Sequence, residues 1–428
     1  MLKESLKYML LSLLVAGLVF CGVYWGISAL GNALFSDTPA QTEGGPSLAA
    51  SPSPSPTDTP APTPTPSPTP MTETAEDALR AYIAAMPVEE KLGQMVLFGG
   101  RGVNSPGEEY SGILRDYRVG NLILYGNNIE SGDGDGGFGR AASFIDALKS
   151  TLSTDIPPLV AIDVEGGKVV RFRWDTWPSS AATLGSADDK ARAVNQFQAI
   201  GAKLFTTGVN TNLAPVLDIS DSPMDSFLGT RIFSGDPDVA ARMGVAVTEG
   251  LHIAGCLSVA KHFPGHGGTA QDSHDVTPVV DKSADELRAY DMVPFAAAIE
   301  NGVDAILVAH ILYPALDNQD IASMSPLIIT DILRGELGFA GIVVSDDFRM
   351  NGLNSRYDTG DAAARFVLAG GDVIMCGAEY DRQKAIMEGL YAAVSDGRLT
   401  EERINESLFR ILSAKERYLG WSPAPSAG

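Results

Sequence analysis

Residues 257–274 read Leu-Ser-Val-Ala-Lys-His-Phe-Pro-Gly-His-Gly-Gly-Thr-Ala-Gln-Asp-Ser-His. A short apolar run turns at once into charged and glycine-rich sequence. An apolar run without polar alternation suits a strand buried on both faces, as in a parallel sheet. The same kind of run occurs at 95–98, 120–124, 159–162, 211–216, 257–260, 305–309, 341–344 and 372–376. Longer stretches with apolar residues at helical spacing separate them, among them 187–206, 236–254 and 284–301. In the last of these, Asp285 and Glu286 suit a helix start and Gly302 a helix end. Strand and helix alternating eight times predict an α/β fold, a (β/α)8 TIM-type barrel forming a single catalytic domain over 73–421. A doubly wound open sheet shares this pattern.

The placement of polar residues favours the barrel. Asp163 and Glu165, Asp218, Lys261 and His262, His310, and Asp346 with Asp347 each follow an apolar run. In a barrel such positions converge on the C-terminal mouth, where catalysis takes place.

The 428 residues are 45% hydrophobic and carry a formal charge of −22. That composition suits a large packed core, and the negative charge disfavours nucleic acid as a partner. Of the three cysteines, Cys21 lies in an N-terminal apolar run, while Cys256 and Cys376 read as small core residues rather than a disulfide.

Residues 9–30 are nearly free of charge and long enough to span a bilayer, which takes about 20 residues. Lys3 and Lys7 precede the run, and Asp37 and Glu43 follow it. This asymmetry predicts a membrane anchor at 1–35 and a single-pass protein of the cell membrane with an extracytoplasmic catalytic domain. A cleaved signal segment, giving a secreted protein, is the alternative. The Pro/Ser/Thr-rich stretch 36–72 reads as a disordered linker, and 422–428 as a tail.

Three of the five histidines fall in the 261–274 loop. His262 and His266 have the spacing of a helical zinc pair, but Pro264 and Gly265 break any helix and Lys261 repels a cation, so no metal is expected. Asp272 and His274 lie two apart, on one side of an extended chain, and a carboxylate beside an imidazole fixes its tautomer and raises its pKa. The pair is a candidate acid/base. At Val343-Val344-Ser345-Asp346-Asp347, adjacent carboxylates point opposite ways, so one faces the mouth. Asp346 there can attack an anomeric carbon, with Asp347 binding backbone instead. The 162–171 stretch, with Gly166-Gly167, Asp163 and Arg171, lacks the glycine patterns of nucleotide sites.

Together these segments resemble glycoside hydrolase family 3, in its bacterial β-N-acetylglucosaminidase (β-N-acetylhexosaminidase) branch. The resemblance rests on Pro87-Val-Glu-Glu-Lys-Leu-Gly-Gln-Met95, Ile162-Asp-Val-Glu-Gly-Gly167, Asn212-Leu-Ala-Pro-Val-Leu-Asp218, Gly229-Thr-Arg-Ile-Phe-Ser234, the Lys261–His274 loop and Ser345-Asp-Asp-Phe-Arg-Met350. It implies a retaining enzyme with Asp346 as nucleophile and Asp272–His274 as acid/base dyad. It places sugar contacts on Asp163, Arg171, Arg231, Lys261 and His262. No cofactor is implied, and the implied substrate is terminal N-acetylglucosamine on peptidoglycan-derived or related glycans. A β-glucosidase or xylosidase of the same family, a glycan phosphorylase and a non-catalytic glycan-binding barrel are the rival functions. A monomer is expected. Many members carry Asp where Gly268 stands, and some carry a second C-terminal domain that could complete the site; the chain is expected to do without one.

Overall fold

The computed structural model describes residues 73–102, 105–129, 137–172, 177–222, 226–269 and 277–423. The chain divides into two units, Met1–Pro62 and Thr63–Gly428, and every described residue belongs to the second.

Eight parallel strands form one sheet: β1 Val96–Gly99, β2 Asn121–Leu124, β3 Leu159–Ile162, β4 Thr211–Asn212, β5 Leu257–Phe263, β6 Ala305–Val308, β7 Ile342–Ser345 and β8 Ile374–Cys376. Neighbours pair in chain order, and β8 pairs with β1. Between β7 and β8 the ring closes through a parallel bridge of Val344 to Val373. This is the (β/α)8 barrel that the alternating apolar runs predict. Every strand residue is buried, because side chains of one face fill the barrel and those of the other meet the surrounding helices. Leu97, Leu159, Ala161, Leu257, Val259 and Val344 are among those that pack the interior, leaving a void of only about 20 Å³. The barrel is therefore a solid core, and only its rim is open for chemistry.

Where the expected elements differ, local chemistry explains it. The 211–216 run contributes only two ladder residues, since Pro215 has no N–H to donate; the chain rejoins at a bridge of Val216 to Lys261. The 187–206 stretch is one helix, Lys190–Phe205, preceded by a separate short helix, Ala181–Ala187. The two are separated at Asp188, which adopts φ 45°, and the Asp189 carboxylate starts the longer helix by accepting from the Arg192 N–H. The 236–254 stretch is one helix, Pro237–Ile253, capped by Asp236. Cys256 and Cys376 are buried free thiols.

The single-pass membrane placement, and with it the membrane as a partner through an N-terminal helix, is corrected. Among the described residues no helix is long and apolar enough to cross a membrane. Even the 19-residue Glu401–Leu419, the longest, alternates charged and apolar positions along its length. Residues 9–30 and 36–72 lie outside the described residues.

Candidate active site

The C-terminal ends of the strands surround a cleft of about 420 Å³. Its first group of residues comes from β3 and β5. Asp163 follows β3 directly, and Glu165 sits on a small hairpin, Val164–Gly166 with Val169–Val170. In β5 the register shifts between Lys261 and Phe263. Such a bulge re-aims side chains, and here both Lys261 and His262 line the cleft. The Lys261 ammonium lies 2.6 Å from Asp163 Oδ1 and 2.7 Å from Glu165 Oε1. Glu165 also accepts two hydrogen bonds from Arg231, at 2.7 and 2.9 Å. Arg171 Nη2 stands 3.8 Å from Asp163 Oδ2. Burial pushes the Glu165 carboxyl up, but Lys261 and Arg231 outweigh it and hold it below the ordinary range. Burial likewise pulls the Lys261 ammonium down, while Asp163 and Glu165 raise it on balance. Three cations and two carboxylates thus form a fixed, water-poor wall suited to polar hydroxyls.

The second group hangs on Asp218, which is fully buried. Its carboxylate accepts from the His262 ring Nδ1 at 2.6 Å and from the backbone N–H groups of His262 and His266 at 3.1 and 2.7 Å. The buried His266 ring packs against Phe227, with centroids 4.6 Å apart. Burial and the neighbouring His262 bring the His266 ring down to about 4.

The third group follows β7. The Asp346 N–H donates to Val308 O at 3.1 Å, which ties the residue to the end of β6, and its Oδ1 accepts the Asp347 N–H at 2.8 Å. Asp347 binds structure. Its Oδ2 accepts from the Tyr125 hydroxyl at 2.7 Å and from Arg349 Nε and Nη2 at 2.9 and 2.7 Å. Its Oδ1 accepts the backbone N–H groups of Arg349 and Gly377 at 3.0 and 3.1 Å. Behind this turn the His310 ring is fully buried and bonded to Ser323 Oγ at 2.8 Å; burial lowers its pKa.

All five residues expected to contact sugar, Asp163, Arg171, Arg231, Lys261 and His262, line one cleft with Asp346. Asp272 and His274 lie outside the described residues. Among the described residues no group of three or more His, Cys, Asp or Glu side chains could hold a metal ion. Sequence reasoning placed Glu165 and Asp218 at the mouth without giving either a role, and did not nominate Tyr125 or Arg349. Glu165 and Asp218 did carry a signal, since each closely follows an apolar run. Tyr125, one residue beyond β2, carried the same positional cue without a charge.

Buried charge pairs on the barrel rim thus surround a carboxylate at the end of β7. The chain belongs to glycosyl hydrolase family 3: residues 87–414 match that family's N terminal domain. The enzyme class this membership defines is glycoside hydrolase. A beta-hexosaminidase A of Pseudoalteromonas piscicida is 32% identical over 335 residues, which cover 72% of this chain and 55% of that protein. A beta-hexosaminidase of Pseudomonas aeruginosa is 36% identical over 259 residues, covering 60% of this chain and 74% of that one. Among solved structures, a family 3 β-N-acetylglucosaminidase from Paenibacillus sp. FPU-7 superposes with a TM-score of 0.74 at 35% identity, over 80% of this chain and 65% of its own. A β-N-acetylhexosaminidase from Beutenbergia cavernae does so with a TM-score of 0.71 at 26% identity, over 78% of this chain and 99% of its own. The chain thus spans little more than half of the Pseudoalteromonas relative and just under two thirds of the Paenibacillus one.

Proposed function

We propose that the chain is a retaining β-N-acetylhexosaminidase that removes terminal, non-reducing N-acetylglucosamine from peptidoglycan-derived or related glycans. Asp346 is the nucleophile. Its carboxylate oxygen bonds to the anomeric carbon as the bond to the leaving oxygen breaks, and that oxygen takes a proton from His274. In the second step His274 takes a proton from water, the water oxygen bonds to the anomeric carbon, and Asp346 departs. Asp272 orients and charges the His274 imidazole.

The observation that carries this reading is the setting of Asp346. It shares a cleft with Asp163, Arg171, Arg231, Lys261 and His262, while its neighbour Asp347 is occupied by five donors. The names of the relatives supply the sugar. Turnover of nitrophenyl β-glycosides of N-acetylglucosamine, glucose and xylose, with and without phosphate, tests it. The N-acetylglucosaminide should be strongly preferred and release free sugar. Preference for glucoside or xyloside, a sugar 1-phosphate product, or no turnover of any glycoside would each replace the reading.

A further inference from the structure

Asp218 contacts no open part of the cleft, yet it controls one side chain that does. Its Oδ1 gathers the backbone N–H groups of His262 and His266, and its Oδ2 meets His262 Nδ1 at 2.6 Å. The two backbone N–H groups donate to the charged form of the carboxyl and favour it, so Asp218 stands here as an ionised acceptor. A carboxylate in that state cannot donate, so the proton of this contact sits on Nδ1. In a neutral imidazole that leaves the lone pair on Nε2. The rest of the ring lines the cleft with Asp346.

The neighbouring side chains give that lone pair a use. Lys261, Arg231 and Arg171 can only donate, and the Asp163 and Glu165 carboxylates are already engaged by them. A sugar hydroxyl that accepts from one of these cations still has its own hydrogen to place. We propose that Asp218 is a positioning residue that presents His262 Nε2 as an acceptor, so that the site selects a sugar carrying a hydrogen-donating hydroxyl at that point. The inference rests on the glycosidase reading above and adds a specificity rule to it.

Asp218→Asn tests the rule without dismantling the loop. The amide oxygen, in place of Oδ1, still accepts both backbone N–H groups. The amide NH₂, in place of Oδ2, donates to Nδ1 and moves the ring proton to Nε2. The probes are nitrophenyl N-acetyl-β-glucosaminide and its 3-, 4- and 6-deoxyfluoro analogues, since fluorine cannot donate. In the wild type one analogue should lose about tenfold or more in kcat/KM relative to the parent, the size expected when a buried polar partner is left unpaired. In Asp218→Asn the parent should fall and that analogue's extra penalty should vanish, in a variant that still unfolds cooperatively. An unchanged penalty in the variant, or no penalised analogue in the wild type, overturns the proposal. If the variant does not fold, the ¹⁵N spectrum of wild-type His262, assigned with His262→Gln, decides. A hydrogen-bearing Nδ1 with a bare Nε2 supports the proposal, and a hydrogen on Nε2 overturns it. A wild type inert on every nitrophenyl sugar would instead sink the glycosidase reading, and the spectrum would still report the tautomer.

Discussion

Arg231 and Glu165 meet fork to fork, Nε to Oε2 at 2.7 Å and Nη2 to Oε1 at 2.9 Å, and the Lys261 ammonium closes on the same carboxylate at 2.7 Å. Glu165 is 5% exposed, so its carboxylate depends on these two cations rather than on water. Removing one member of a buried charged set leaves the others uncompensated and costs about 3–5 kcal/mol. Glu165→Gln should therefore lower unfolding free energy in urea at neutral pH by roughly that amount. The Glu165 carboxyl is held below its ordinary value of 4.5, so its contribution is present above that pH and fades as pH falls toward the lowered folded value. The gap between wild type and variant should narrow in acid. A gap independent of pH would show that the carboxylate's charge does not stabilise the fold.

Asp346 and Asp347 should separate chemistry from architecture. Asp347→Ala removes the acceptor shared by Tyr125, Arg349 and the Gly377 N–H, leaving buried donors unpaired at about 1–3 kcal/mol each. It should lower both stability and activity. Asp346→Asn should keep the fold's stability while losing turnover. Thermal melts and nitrophenyl assays on the two variants check this; equal destabilisation by both would dissolve the distinction.

His274 should matter in proportion to the leaving group. Losing general-acid help costs about 100- to 10,000-fold where the leaving oxygen needs a proton. His274→Ala should therefore be severe on an alkyl glycoside and mild in the first step on a nitrophenyl one. Asp272→Ala should be a weaker copy, and azide should rescue both. Equal loss on both substrates without azide rescue would remove His274 from the acid/base role.

Dialysis against EDTA should leave kcat/KM unchanged. The Lys261 ammonium already occupies the space between Asp163 and Glu165 that a cation would take. Loss restored by zinc would contradict this.

The sequence revealed the barrel because buried parallel strands leave uninterrupted apolar runs. The runs at 159–162 and 305–309 coincide with β3 Leu159–Ile162 and, within a residue, with β6 Ala305–Val308. It did not reveal the short helix Ala181–Ala187, which ends at the left-handed Asp188 just before the expected helix begins. The place of Asp163, Lys261 and Asp346 in the cleft was legible through their position after apolar runs. Asp218 was visible at such a place but silent about its partner, because His262 lies 44 residues away and only the pairing of β4 and its continuation with β5 brings them together. Glu165 was visible at such a place too, but its partner Arg231 lies 66 residues away.

The central claim is a covalent sugar on Asp346, and peptide mapping tests it most directly. The His274→Ala protein, mixed with nitrophenyl N-acetyl-β-glucosaminide and quenched in acid, should gain the mass of one N-acetylglucosaminyl group. Digestion should place that mass on Asp346, and an Asp346→Ala/His274→Ala double variant should gain none. An adduct on another residue, or rapid nitrophenol release with no adduct at any quench time, would contradict the account.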